Sequence, residues 1–167
     1  SIMLPSRYDE LKALYKSNEL IDQVSMDVIR ELGRLIIESG AKILLIKMAH
    51  RGAYLITGDI SSMNSRLGFV LNEDEWNYVE LLCDPYPVEH SKIKSTSGTG
   101  DTASAAFLSA IIKGEDPWNA IRFAALAGRN NLYCIDIYAE LDTWVTMNEQ
   151  LHKEPGRVIS FKPEGKC

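Results

Sequence analysis

An α/β architecture is expected for this 167-residue chain. Three observations lead there. Segments of helical and of strand periodicity alternate, two of the strand-like segments are continuous apolar runs, and Gly or Pro stands at the junctions. Hydrophobic residues make up 46% and charged residues 25%, the balance of an ordinary globular domain, and the length suits one domain rather than two.

At the start, Ile2-Met3-Leu4 before Pro5 reads as the end of a strand. Residues 8–16 read as a short helix, with Tyr8, Leu11, Leu14 and Tyr15 on one face and Ser6 and Asp9 forming a weak capping box. A longer helix is predicted over 25–39: Val28, Ile29, Leu32, Leu35 and Ile36 give its apolar face and Gly40 its stop. Residues 42–47 are apolar without interruption from Ile43 to Ile46, which predicts a strand covered on both faces, as in a parallel sheet. Arg51-Gly52 turns the chain into a second strand over 53–57, and the Gly favours a hairpin.

Residues 58–84 are polar and then mixed, and read as an insertion holding one strand. Asp84-Pro85-Tyr86-Pro87 is loop punctuation, and 88–94 is expected to be extended. A helix rich in small residues follows Gly98-Thr99-Gly100-Asp101 and closes at Lys113-Gly114. Asp116 as cap and Pro117 at the first helical position open another, which runs to about residue 133. Residues 141–151 form a last amphipathic helix, and 153–167, polar with two prolines, are expected to be a loose tail.

Composition excludes several function classes. The net charge is −5 and no Lys/Arg cluster stands out, which argues against a nucleic-acid partner. Cys83, Cys134 and Cys167 are odd in number and lack CxxC spacing, which argues against a disulfide framework or zinc site and for a reducing compartment, the cytoplasm. His50, His90 and His152 lie far apart in sequence. No apolar run nears the roughly 18 residues of a membrane span, so no membrane partner is expected. The first residues lack the apolar core of a signal peptide.

Chemistry concentrates at Gly98-Thr99-Gly100-Asp101, a glycine loop that opens a helix. First-turn N–H groups have no partner within a helix, and the helix dipole there favours anions. Glycine lets a phosphate approach the backbone, and an acid beside it can take the proton of an attacking hydroxyl. Taken by spacing alone, the same residues fit a plain helix cap and turn equally well. A dinucleotide fingerprint fits less well, because 91–97 is polar rather than a strand and position 121, where an acid would be needed, is Ile. No Lys-Ser/Thr follows the glycines, which excludes a P-loop.

The stretch 95–114 resembles the signature of the ribokinase/PfkB carbohydrate kinases, in which a Gly-Ala-Gly-Asp-like motif opens a helix of small and aromatic residues. Thr99 stands here for the usual Ala. Residues 41–53 look like that family's buried strand leading into a glycine-containing nucleotide loop, and 118–132 like its next helix, which borders the adenine. The resemblance covers nearly the whole chain. It implies a ribokinase-like three-layer α/β fold, a sheet with flanking helices, of which residues 1–152 would be the C-terminal, nucleotide-binding portion. It further implies phosphoryl transfer from ATP to a hydroxyl of a small sugar or sugar-like substrate. Asp101 would then be the catalytic base, with Gly98, Thr99 and Gly100 as the anion hole. Lys47, Ala49, Arg51 and Gly52 would lie along the nucleotide, and Ala125 near the adenine. ATP and Mg2+ are the implied cofactors, with a monovalent cation a further candidate, and Asp9 would hold the hydrated metal indirectly.

Several positions depart from that pattern. Ser6-x-x-Asp9 stands where the family has Asn-x-x-Glu, and a helix-cap pair explains it as well. Lys47-Met48-Ala49 replaces a Thr-x-Gly-like start of the nucleotide loop, so Lys47 either reaches a phosphate or ends the strand in solvent. Ala125 replaces a frequent Asn and cannot offer adenine an amide. Arg129, Asn130 and Asn131 are polar where the family is small and apolar. The family's N-terminal half, with the lid and most sugar contacts, has no counterpart. A homo-oligomer or a separate N-terminal piece is therefore expected, with the isolated fragment inactive. The alternative is a truncated or degenerate kinase-like module that binds nucleotide or a partner without catalysis.

Overall fold

A computed structural model describes residues 20–161. The strand end expected at 2–4, the helix at 8–16 and the Ser6–Asp9 pair lie outside the described residues. Four strands form one sheet in the order β1 (Ile43–Lys47), β2 (Ala53–Thr57), β3 (Glu80–Cys83) and β4 (Val158–Ser160). Among the described residues, every pairing is antiparallel. The hairpin expected at Gly52 is present, with Lys47 opposite Ala53. Among the described residues, the parallel pairing expected from the run at 43–46 is not found, and β1 pairs with β2 antiparallel. The reason is physical: an uninterrupted apolar run reports that both faces of a strand are covered, and coverage does not depend on strand direction.

Both faces are indeed covered. Side chains alternate across a strand, and Leu44, Ile46, Tyr54, Ile56 and Leu82 pack with Ile29 and Ile37 of α2 (Met26–Glu38). On the other face, Ile43, Leu45, Ala53, Leu55, Leu81 and Cys83 join a core built with α5 (Thr99–Ile112) and α6 (Pro117–Asn131). Helix, sheet and helices therefore make the three layers.

Local sequence explains most helix ends. The Ser25 hydroxyl accepts a hydrogen bond from the Val28 N–H and caps α2, just after the short α1 (Leu20–Gln23). Val28 and Ile29 are buried, whereas Leu32, Leu35 and Ile36 are half-buried. The Asp116 carboxylate accepts from the Asn119 N–H and caps α6, with Pro117 in the first turn as expected. Within 58–84 stand α3 (Ser61–Asn64), α4 (Glu73–Trp76) and the expected single strand, β3. Ile60, Leu71 and Trp76 of this segment are buried in the larger core. Residues 88–94 are not simply extended: His90–Lys92 form a 3-10 turn.

The helix predicted at 141–151 is present but begins later, at Trp144. A short α7 (Ile137–Glu140) precedes it, and Thr143 caps α8 (Trp144–Lys153) by accepting from the Thr146 N–H. Trp144 stacks on Phe123 of α6, ring centroids 3.9 Å apart. The tail expected to be loose instead contributes β4, whose Ile159 lies opposite Leu82. Three residues are too few for a periodicity to show in the sequence, and it is the open edge of β3 that gives them a partner.

Glu80 is a buried acid on the α2 side of the sheet. Its carboxylate accepts from the Arg30 guanidinium and from the Tyr54 hydroxyl at 3.0 Å, with Arg34 at 3.6 Å. Burial alone would raise the Glu80 carboxyl, but these hydrogen bonds and the two arginine charges outweigh it and hold it below the ordinary carboxylate range. A depressed folded-state value stabilises the fold above the unfolded value of about 4.3. That contribution is lost as the pH falls through the folded value. Glu80→Gln is therefore expected to flatten the fall in unfolding free energy on acidification from about pH 5 downward, read from urea melts across pH. A slope equal to that of the unsubstituted protein would show that Glu80 is not the linked group.

Candidate active site

The turn at the start of α5 is held in an unusual conformation. Gly98 has φ 75°, in the left-handed region, and no side chain caps the helix. The N–H groups of the first turn therefore have no acceptor within the helix. Asp101 is the third residue of α5 and is exposed. Among the described residues its carboxylate has no hydrogen-bond or ion-pair partner. It does not act as the cap that spacing alone allowed.

Behind the turn lies Asn131, wholly buried at the last position of α6. Its Nδ2 donates to the Ser97 carbonyl at 2.8 Å and to Thr99 Oγ1 at 3.3 Å. Its Oδ1 accepts from the Thr102 hydroxyl at 2.7 Å. The Thr99 hydroxyl in turn donates to the Thr96 carbonyl at 2.9 Å. Lys47, at the end of β1, approaches from the sheet. Its ammonium donates to the Gly100 carbonyl and to Ser104 Oγ, each at 2.8 Å. The strand end is thereby tied to the first turn of α5.

A cavity of about 500 Å³ opens beside this turn. Lys47, Ala49, Gly52, Thr99, Gly100 and Ala125 all line it, so six of the positions singled out in the sequence meet in one place. Gly98, Asp101 and Arg51 do not line it. Gly98 and Asp101 belong to the adjoining turn. The Arg51 guanidinium points to α1 and the link that follows it, donating to the Ile21 carbonyl and to the Val24 carbonyl at 2.6 Å. Asp9 lies outside the described residues.

Tyr86 and Arg129 are among the wall residues that were not read as site residues from the sequence. Tyr86 falls within a stretch read only as loop punctuation. Arg129 was noted only for being polar where the family is small and apolar, the same signal that singles out Asn131. The Arg129 guanidinium lies 5.9 Å from the Tyr86 ring centroid and 5.7 Å from that of Tyr133. Tyr86 Oη and Arg129 Nε are buried without a hydrogen-bond partner. Burial raises the Tyr86 hydroxyl far above its usual range, so it stays protonated at neutral pH.

Among the described residues, no three His, Cys, Asp or Glu side chains come together to hold a metal ion. None of the described helices is long and apolar enough to cross a membrane. Cys83 and Cys134 are both unpaired and buried. Burial pushes the Cys83 thiol up to about 12.

The fold and this turn can be set against known proteins. A candidate phosphofructokinase of Staphylococcus aureus aligns over 93% of this chain and 40% of its own, at 17% identity and a TM-score of 0.60. The ribokinase of Arabidopsis thaliana, solved with ribose and ATP, aligns over 73% of this chain and 34% of its own, at 19% identity and a TM-score of 0.52. The nucleoside kinase of Methanocaldococcus jannaschii aligns over 82% and 46%, at 16% identity and a TM-score of 0.52. The chain thus spans less than half the length of each of these proteins. At such identities the likeness is one of fold. No curated protein matches the sequence. The sequence profile of the pfkB family carbohydrate kinases matches residues 1–135, most of the chain and the whole Gly98–Asp101 turn, and the chain therefore belongs to that family.

Proposed function

We propose that this chain forms the nucleotide-binding part of a kinase that transfers the γ-phosphoryl group of ATP to a hydroxyl of a sugar or sugar-like molecule. One observation carries the reading. A cleft large enough for a nucleoside shares Thr99 and Gly100 with an uncapped helix N-terminus, and an unpartnered carboxylate stands on the same turn. The base and ribose would occupy the cleft against α6, where Ala124, Ala125 and Gly128 leave room for a flat ring. The phosphates would reach the first turn of α5, whose N–H groups and dipole favour negative charge.

In the reaction, the substrate hydroxyl oxygen attacks the γ-phosphorus as the bond to the β–γ bridging oxygen breaks. The bridging oxygen keeps the electron pair and leaves with ADP, and the hydroxyl proton passes to Asp101. Gly98, Thr99 and Gly100 present backbone N–H groups to the charge on the transferring group. Lys47 is already bonded to the Gly100 carbonyl and Ser104, so its positive charge acts by holding the turn in place. Magnesium fits such a site when it is carried largely by the nucleotide's own phosphates, which need few protein ligands. When bound, it neutralises charge on those phosphates.

Calorimetric titration of ADP into the protein tests the nucleotide part directly. Saturable binding in the usual substrate range, about 1 μM to 1 mM, is expected. The absence of binding at millimolar ADP would remove the reading. Ala125, which has no amide to offer a base, favours a second reading, a module that binds nucleotide without catalysis. Binding without turnover in the intact protein would select it.

A further inference from the structure

We infer that Asn131 is a positioning residue that sets the orientation of the phosphate-binding turn relative to the nucleoside cleft; the inference rests on the nucleotide reading above. Burying an amide is costly unless both of its ends are paired. Asn131 is 0% exposed, and its amide is paired at both ends with the chain on either side of Gly98. The peptide between Ser97 and Gly98 is planar and trans, so its carbonyl and N–H point in opposite directions. By drawing the Ser97 carbonyl inward at 2.8 Å, Asn131 turns the Gly98 N–H away from the buried amide. The bond to Thr99 Oγ1 holds the next residue in the same way.

The helix that carries Asn131 also forms a wall of the cleft, through Ala124, Ala125 and Gly128. One rigid element therefore holds both the wall against the nucleoside and the turn against the phosphates. Misplacement of a reacting group by about 1 Å can cost about a hundredfold in rate, so a rigid link of this kind has consequences. Asn130 provides an internal control. It is also buried, but its amide donates to Asp142 and Gln150, each at 2.9 Å, rather than to the turn.

The test compares ADP with adenosine by calorimetry on the intact protein, together with thermal melts. Adenosine reports the cleft alone, and ADP adds the turn. Asn131→Ala is expected to weaken ADP by about tenfold or more while adenosine stays within about twofold. Asn130→Ala should leave both affinities unchanged, although it also removes buried hydrogen bonds. If Asn131→Ala does not fold, Asn131→Asp serves: it keeps an acceptor for Thr102, removes the donor to Ser97, and should show the same selective loss. Equal weakening of ADP and adenosine would make Asn131 merely structural and overturn the inference. So would an ADP preference as large as in the unsubstituted protein. If the unsubstituted protein itself binds ADP no better than adenosine, the nucleotide reading falls and takes this inference with it.

Discussion

Replacing Asp101 by Asn in the intact protein is expected to lower turnover by about 10²–10⁴-fold, the span of a general-base contribution. ADP affinity should stay within about twofold, because the carboxylate is exposed and no described residue depends on it for a hydrogen bond. The substitution keeps the shape of the side chain and removes its capacity to take a proton. Steady-state kinetics with ATP and a panel of sugars, beside calorimetry of ADP, separates the two effects. Undiminished turnover would remove Asp101 from the chemistry. Weaker ADP binding would instead make it part of the phosphate site. This carboxylate alone joins exposure, lack of a partner and a place on the glycine turn, so the kinase reading depends most on it.

The largest effect on stability is expected at Gly52. Its φ of 88° and ψ of −142° lie where side chains are rarely tolerated. An added Cβ would also stand 2.0 Å from the Cys83 carbonyl oxygen and 3.0 Å from the backbone of Asp84 and Pro85. All of these obstacles are backbone, so no rotamer change relieves them. Gly52→Ala is expected to cost more than about 4 kcal/mol, or to prevent folding, because it adds a strained conformation to a clash with the backbone at the end of β3. Gly68, where an added Cβ would meet nothing within 4 Å, is the control. Gly68→Ala should change stability by no more than about 0.5 kcal/mol. Urea unfolding of the two variants measures the difference, and equal midpoints would refute the account of Gly52. The same substitution would disturb the cleft, which Gly52 lines.

Much of the fold follows from neighbours in sequence. Ser25 and Asp116 cap their helices because a short polar side chain meets N–H groups two or three residues on, and that is readable locally. The hairpin at Gly52 follows from one residue's conformational freedom. Strand direction does not, since the run at Ile43–Ile46 would look the same in either orientation. β4 was hidden because a three-residue strand exists only by pairing with β3. The start of α8 at Trp144 rather than at 141 reflects Thr143, whose hydroxyl offers the Thr146 N–H a cap.

The candidate site divides along the same line. The glycine turn, its acid and the helix behind it were legible as a motif, because their chemistry lies within a few residues of one another. Pattern alone was also enough for the α/β class, for the layering of apolar runs between helices, and for the prominence of Gly98–Asp101. Packing decided the rest. Lys47 and Gly100 are 53 residues apart, and Asn131 and Ser97 are 34 apart, yet each pair is joined by one hydrogen bond. Only the closed three-layer arrangement brings such partners together, because a hydrogen bond acts over about 3 Å and leaves no periodic trace in a sequence. Tertiary structure thus turned Arg129 and Asn131, oddities when read along the chain, into a wall of the cleft and a clamp on its turn.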